Sequence, residues 1–418
     1  MPAEMTFQEK LELYAKLIVY HGMNVEEGQD VYINSEVIHK DLAHLVAKEA
    51  YRAGARIVVT NLIDPELLRT RILESKEEYL THVPSYIPYK MDQMIPETAA
   101  SVRIIGSEDP DLYADLDPKK LNQVQLSLKS ALKNFYKEGV GHSKVQWTIA
   151  AAATPKWAKK VFPDLGEQAA TNALWNDIFH ICRVDQPDCL ELWKKHNDVL
   201  HKRAHKLTAL EVETLHFKGP GTDLKVGLSE RAKFVGGGSP SPRGREFEPN
   251  LPTEEVFSTP DWRRTEGHAT ATRPFLINGE MIRGLKLTFK EGQIVDFEAD
   301  QGYETFKEYI SSDEGANQLG EVALVGINSP IYQTGRVYEE ILFDENAACH
   351  IAVGFAYHFC IQDSEGMSEE ELAELGVNNS SVHTDMMISS EEVDIHALTR
   401  SGKEIPLIVK GEWVDEYR

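Results

Sequence analysis

Val31-Tyr32-Ile33, then Asp41-Leu42-Ala43-His44-Leu45-Val46-Ala47-Lys48-Glu49-Ala50-Tyr51-Arg52-Ala53-Gly54, then Arg56-Ile57-Val58-Val59-Thr60 place an amphipathic run between two apolar ones. Leu42, Leu45, Val46, Ala50 and Ala53 recur at the spacing of one helical face. Gly54 tolerates the left-handed conformation that ends a helix. The flanking β-branched runs read as strands, so strand, helix and strand predict a right-handed crossover with the two strands parallel. Working outward, Leu11, Leu13, Tyr14, Leu17 and Ile18 predict a helix over 7–20. Residues 102–105 and 145–149 read as further strands separated by a helix over 118–137, and 167–207 as helical with a break at Pro187. The expectation is a layered α/β scaffold domain over 1–205.

Such a sheet invites a dinucleotide, but Asn34-Ser35-Glu36-Val37-Ile38-His39 joins the first strand to its helix without a glycine. Close backbone approach to a pyrophosphate needs Gly-x-Gly-x-x-Gly there. A scaffold sheet without cofactor is therefore expected. His201 and His205 lie four apart on a helix, but Lys202, Arg203 and Lys206 would repel a cation, so they read as a solvated face.

Composition shifts after residue 205. Val235-Gly236-Gly237-Gly238-Ser239-Pro240-Ser241-Pro242 is rich in turn formers. Beyond it come short alternating runs over 267–272, 285–289, 294–297, 321–325 and 405–409, with Asn278-Gly279 as a hairpin signal. The expectation for 206–418 is a strand-rich α+β domain, mainly antiparallel.

The whole chain has 418 residues, 42% hydrophobic and 27% charged, as in ordinary soluble proteins. Its net charge of −23 disfavours nucleic acid, where phosphate contacts dominate. Apolar runs such as 149–153 are too short to span a bilayer. The start Met1-Pro2-Ala3-Glu4 lacks the features of a secretory signal, and four cysteines without CxxC spacing suggest no disulfide framework. Cytoplasmic residence is the expectation.

Metal-type residues are scattered through the second half. Glu255, Glu321, Glu345, His350, His383 and Asp385 combine four carboxylates with two imidazoles and no thiol. Convergence of these six would suit a pair of divalent ions better than one structural zinc. His383 and Asp385 are two apart and share one face of a strand. Glu345 and His350 are five apart, which suits a turn beside a strand or helix rather than one helical face. Glu254 and Glu255 point opposite ways in extended chain, so one of them faces any given site. Taken singly, Glu254 and Glu255 read as surface residues and His350 as a satisfied core histidine, while His383 with Asp385 reads equally as a ligand pair or as a surface contact.

In order along the chain, Asn250-Leu251-Pro252-Thr253-Glu254-Glu255-Val256-Phe257, Leu319-Gly320-Glu321-Val322-Ala323-Leu324-Val325, residues 343–354 and His383-Thr384-Asp385-Met386-Met387 resemble the aminopeptidase T family. That family is related to aminopeptidases II and S. Gln146-Trp147-Thr148 and Pro155-Lys156-Trp157-Ala158 are weaker matches. The resemblance implies a homodimeric metallo-aminopeptidase that releases N-terminal residues from peptides with a free amino terminus. It places two divalent ions (zinc, cobalt, manganese or magnesium) on Glu255, Glu321, Glu345, His350, His383 and Asp385. It adds Tyr357 near the site; in the mechanism expected from it Tyr357 donates to the developing oxyanion, and the substrate amino group ligates the second ion or meets a carboxylate such as Glu254. The loop over 236–245 departs from the family pattern but carries no proposed ligand. The rival expectations are another dinuclear hydrolase, such as a phosphoesterase, or a metal-stabilised binding protein without turnover.

Overall fold

In the computed structural model, residues 5–418 are described. The helix α1 (Phe7–Leu17) opens on a reciprocal cap, in which Thr6 Oγ1 accepts from Glu9 N–H and Glu9 Oε2 accepts from Thr6 N–H. It gives way to a π turn over Ile18–Gly22, so the helical pattern read to residue 20 changes its winding at 18. The strands β1 (Asp30–Glu36) and β2 (Ile57–Ile63) flank α2 (Lys40–Arg52), and they pair in parallel from Asp30↔Ile57 to Glu36↔Ile63. Leu42, Ala43, Val46 and Ala50 form the buried stripe of α2, and Gly54 takes φ +98° just beyond it. β3 (Ala100–Ile105), β4 (Gln146–Ala151) and the two-residue strand Asn250–Leu251 complete a five-stranded parallel sheet in the order β2, β1, β3, β4, Asn250–Leu251.

The order reverses between β1 and β3, where open α/β sheets usually receive ligands at the carboxyl ends of the strands. Here side chains tie those ends together. Glu36 Oε2 accepts from Glu108 N–H at 2.8 Å, and buried His39 meets Gly106 O through Nε2 at 2.6 Å.

The described chain divides into two compact units that do not follow it as two uninterrupted halves. One takes the residues up to Lys194 together with Gly238–Pro252; the other takes Lys195–Gly237 and Thr253–Arg418. The change at Lys194/Lys195 lies inside the helix α3 (Cys189–Ala209), about eleven residues before the 205/206 break read from composition. Composition marks 235–242 as turn-rich but carries no sign that the following segment adds a strand to the first sheet.

The second unit is built on an eight-stranded antiparallel sheet. Its central strands Val212–Gly219, Thr222–Leu228 and Asp394–Thr399 escaped the sequence reading; His216, Lys218, Lys225 and His396 lie on their outer side, opposite buried Leu215, Phe217, Leu224 and Ile395. The Asn278-Gly279 hairpin is present between Phe275–Ile277 and Glu280–Ile282, with φ +51° and +85° as a tight turn requires.

A second, four-stranded antiparallel sheet carries the residues of interest. It runs β5 (Val256–Ser258), β6 (Leu319–Leu324), β7 (His350–Gly354), β8 (His383–Met387). Val322, Leu324, Ile351 and Met386 share an apolar core with Leu215, Phe217, Leu224 and Ile395 of the large sheet. Each such fully buried side chain contributes about 1.5–3 kcal/mol. That apolar face offsets what the opposite face costs by burying charge.

Candidate metal centre

Strand register builds the polar face. Glu321 pairs with Ala352, which pairs with Asp385; Ala323 pairs with His350; Gly354 pairs with His383. Residues directly opposite in an antiparallel ladder project to the same side. Glu321, His350, His383 and Asp385 therefore share one face, and the small Ala352 and Gly354 between them leave room for long side chains. A bulge between Leu319 and Glu321 sets this register. Gly320 sits in it, where a Cβ would fall 2.2 and 2.3 Å from the carbonyl oxygens of Phe355 and Gly354.

Glu255 reaches the same face from the residue before β5. Ligand-type atoms of Glu255, Glu321 and His350 lie within 4.8 Å of one another, and all three residues are buried. His350 Nε2 stands 3.1 Å from Glu255 Oε2, 3.8 Å from Glu321 Oε1 and 3.9 Å from Asp385 Oδ1. His383 Nε2 stands 3.8 Å from Glu321 Oε2 and 3.5 Å from Asp385 Oδ1. Each oxygen of Glu321 thus faces a different imidazole.

Both rings are oriented from behind. His350 Nδ1 meets Ala348 O at 3.1 Å and His383 Nδ1 meets Phe355 O at 2.8 Å. A carbonyl only accepts, so Nδ1 carries the proton and Nε2 is turned to the carboxylates, the arrangement usual for metal-binding histidine.

Glu345 enters from a 3₁₀ turn, Glu345–Ala347, that follows the short helix Ile341–Asp344 and precedes β7. This is the turn beside a strand that the spacing of Glu345 and His350 suggested. It interacts electrostatically with Asp385, Glu255, His350 and Glu321, and Asn346 Nδ2 donates to its Oε1 at 3.3 Å. Glu254 follows a different path from its neighbour. Its carboxylate lies 3.5 Å from His196 Nε2 of α3, and its N–H donates to Asn346 Oδ1 at 2.8 Å. Tyr357 stacks obliquely on His383 with ring centroids 5.4 Å apart, among Phe257, Phe355 and Phe359. His205 is exposed and His201 half-buried on α3.

Burial, with repulsion from Asp385 and Glu255, pushes the Glu345 carboxyl well above the usual range; burial and the same neighbours raise Glu321, against the pull of His350. Burial disfavours imidazolium at His350, but Glu255 and Glu321 outweigh it and raise this group well above its ordinary value. At His383, burial is likewise outweighed by Asp385 and the value rises to about 9. Burial works to raise Asp385, yet His383 holds it below its ordinary value. Crowding and burial thus favour the protonated forms of Glu321, Glu345, His350 and His383, and the ionised form of Asp385.

Glu255 Oε2 is buried and accepts no hydrogen bond, with His350 Nε2 3.1 Å away. A buried, unsatisfied carboxylate oxygen beside Nε2 atoms that face oxygen donors fits a divalent cation. The residues could hold a metal ion, with an oxygen and nitrogen donor set and no thiol. Cys349, next to His350, turns its thiol to Val325 O at 3.1 Å and belongs to the core. Tyr357 is kept protonated, and so a donor, by burial and by Glu321, Asp385, Glu345 and Glu255 around it.

Sequence reasoning missed Asn346 and His196. Asn346 stands beside Glu345 in the quoted segment but reads as a turn former. His196 lies in a helix with no motif around it.

Comparison with known proteins agrees with this geometry. The family described as thermophilic metalloprotease (M29) matches residues 7–413. Aminopeptidase PepS of Streptococcus thermophilus is 40% identical over 409 residues, covering 98% of this chain and 98% of that protein. Aminopeptidase T of Thermus aquaticus is 40% identical over 409 residues, covering 98% and 99%. The solved structure of wild-type AmpT from Thermus thermophilus superposes with a TM-score of 0.92 at 39% identity, covering 98% of this chain and all of that one. Each match spans both units, with the α/β sheet and the strand-rich half alike. The chain belongs to the thermophilic metalloprotease family M29.

Proposed function

We propose that this chain is a metal-dependent aminopeptidase, a hydrolase that removes N-terminal residues from peptides. The observation that carries the reading is Glu321, whose two oxygens face His350 and His383 separately within a buried group of carboxylates. Glu321 would be one of the residues that hold the divalent ions. Glu255, Glu345, His350, His383 and Asp385 would supply the remaining ligands. When bound, such ions polarise the scissile carbonyl and acidify a water so that it attacks near neutral pH.

The chain's own groups do the rest. Protonated Tyr357, packed on His383, donates a hydrogen bond to the oxygen that gains charge in the tetrahedral transition state. Glu254 is buried, precedes Glu255 in the chain, and would receive the substrate ammonium. That contact measures distance from the chain end and restricts cleavage to the first peptide bond. The strand-rich unit is read as catalytic and the α/β unit as scaffold. Among the described residues no helix is long and apolar enough to cross a membrane. Independently of that, the family resemblance is the ground on which the molecule is read as a homodimer, and cytoplasmic residence is kept as the expectation from the sequence.

Aminoacyl fluorogenic substrates, their N-acetylated counterparts and phosphoesters separate the rival readings. Hydrolysis of the free-amino substrates alone, abolished by chelation and restored by zinc or cobalt, is expected. Turnover that survives thorough metal removal, or preference for phosphoesters, overturns the proposal.

A further inference from the structure

Asn346 has no solvent exposure, and its side chain spans two acidic segments that are distant in sequence. Its Oδ1 accepts from Glu254 N–H at 2.8 Å. Its Nδ2 donates to Leu342 O at 3.2 Å and to Glu345 Oε1 at 3.3 Å. The amide can face only one way, because a backbone N–H lies on one side and two acceptors on the other. Its backbone is held as well, with Ser329 Oγ donating to Asn346 O at 2.7 Å.

We infer that Asn346 is a positioning residue that fixes the Glu254–Glu255 turn and the Glu345 carboxylate in one register, so that the metal site is assembled before ion or substrate arrives. Donation to Oε1 engages one oxygen of Glu345 and leaves the other to a cation. The bond from Glu254 N–H holds the backbone whose next residue is Glu255. One amide therefore sets the spacing between two carboxylate ligands and the carboxylate that meets the substrate amine. This inference rests on the reading of Glu345 as a metal ligand, and the test separates the two.

Cobalt(II) added to the metal-depleted full-length chain is the probe, read by affinity and by its visible absorption. Asn346→Asp keeps an acceptor for Glu254 N–H but removes the donor to Glu345; Asn346→Ala removes both. Each should weaken cobalt binding roughly 10–100-fold, shift the cobalt band and lower kcat more than it raises KM. Ser329→Ala, which removes the bond to Asn346 O and the cap on Ile331 N–H but no bond of the Asn346 side chain, should lower thermal stability and leave cobalt affinity unchanged. Glu345→Gln is the control for the ligand itself. If Glu345→Gln weakens cobalt binding while both Asn346 variants bind as wild type, or change stability alone as Ser329→Ala does, the inference is overturned and the site stands. If Glu345→Gln binds cobalt as wild type, the ligand reading falls and the inference falls with it. Should Asn346→Ala fail to fold, Asn346→Asp, which is nearly isosteric, decides.

Discussion

His350 and His383 face the same carboxylates but differ in how deeply they are set. The side chain of His350 is 1% exposed, that of His383 23%. Removing His350 leaves Glu255, Glu321 and Asp385 crowded without their cation, and breaking a buried ion pair from one side costs about 3–5 kcal/mol. His383→Ala trims a side chain nearer the surface that is anchored through Phe355 O. His383→Ala should therefore lose metal while keeping its unfolding midpoint within a few degrees, and His350→Ala should lose both. Metal content by elemental analysis beside thermal melts of the metal-free variants checks this; equal melts for the two would contradict the burial argument. The pair His383 and Asp385 was legible in sequence because strand periodicity is two. His350 was not, since a buried histidine in an apolar run looks the same whether it serves packing or a metal.

At the level of elements, the site depends on a strand that offers no pattern to read. Every residue of β6 is buried, so alternation between faces disappears and nothing in Leu319-Gly320-Glu321-Val322-Ala323-Leu324 singles out the side of Glu321. What sets that side is the bulge at Gly320, where two carbonyl oxygens occupy the space of a side chain. Gly320→Ala should cost about 1–3 kcal/mol by overpacking. It should also weaken metal binding, because relief of the clash moves the backbone next to Glu321. Chemical denaturation of the metal-free protein gives the first quantity and a metal titration the second. A variant destabilised as expected but with unchanged metal affinity would show that the bulge does not position Glu321. The α/β elements were far easier to read. There, helices and strands alternate with their two distinct periods, whereas the central strands of the large sheet carry charge on one side and were passed over.

For the molecule as a whole, the metal-free site is a proton store inside a chain whose formal charge is already −23. His383 has an ordinary value of 6.5 and a folded value of about 9, so its protonation stabilises the fold fully below about 6.5 and that contribution is lost as pH rises through about 9. Glu321 and Glu345 act in the same direction, because burial and like charge raise them and their ionisation favours the unfolded chain as pH rises. Asp385, lowered by His383, works the other way, but its loss belongs to the acid end, below its ordinary 3.8. The metal-free protein should accordingly lose thermal stability from neutrality towards pH 9. With divalent ions bound, the cations take the place of those protons, and ligands already deprotonated need release none. The gain in melting temperature on adding zinc or cobalt should grow between pH 6.5 and 9. Saturation a thousandfold above Kd stabilises by about 4 kcal/mol, enough to measure against the falling baseline. Parallel melts of metal-free and metal-loaded protein across that range decide it. A gain that is flat or shrinks with pH would mean that the cations displace no protons, and that these histidines and carboxylates are not the groups that bind them.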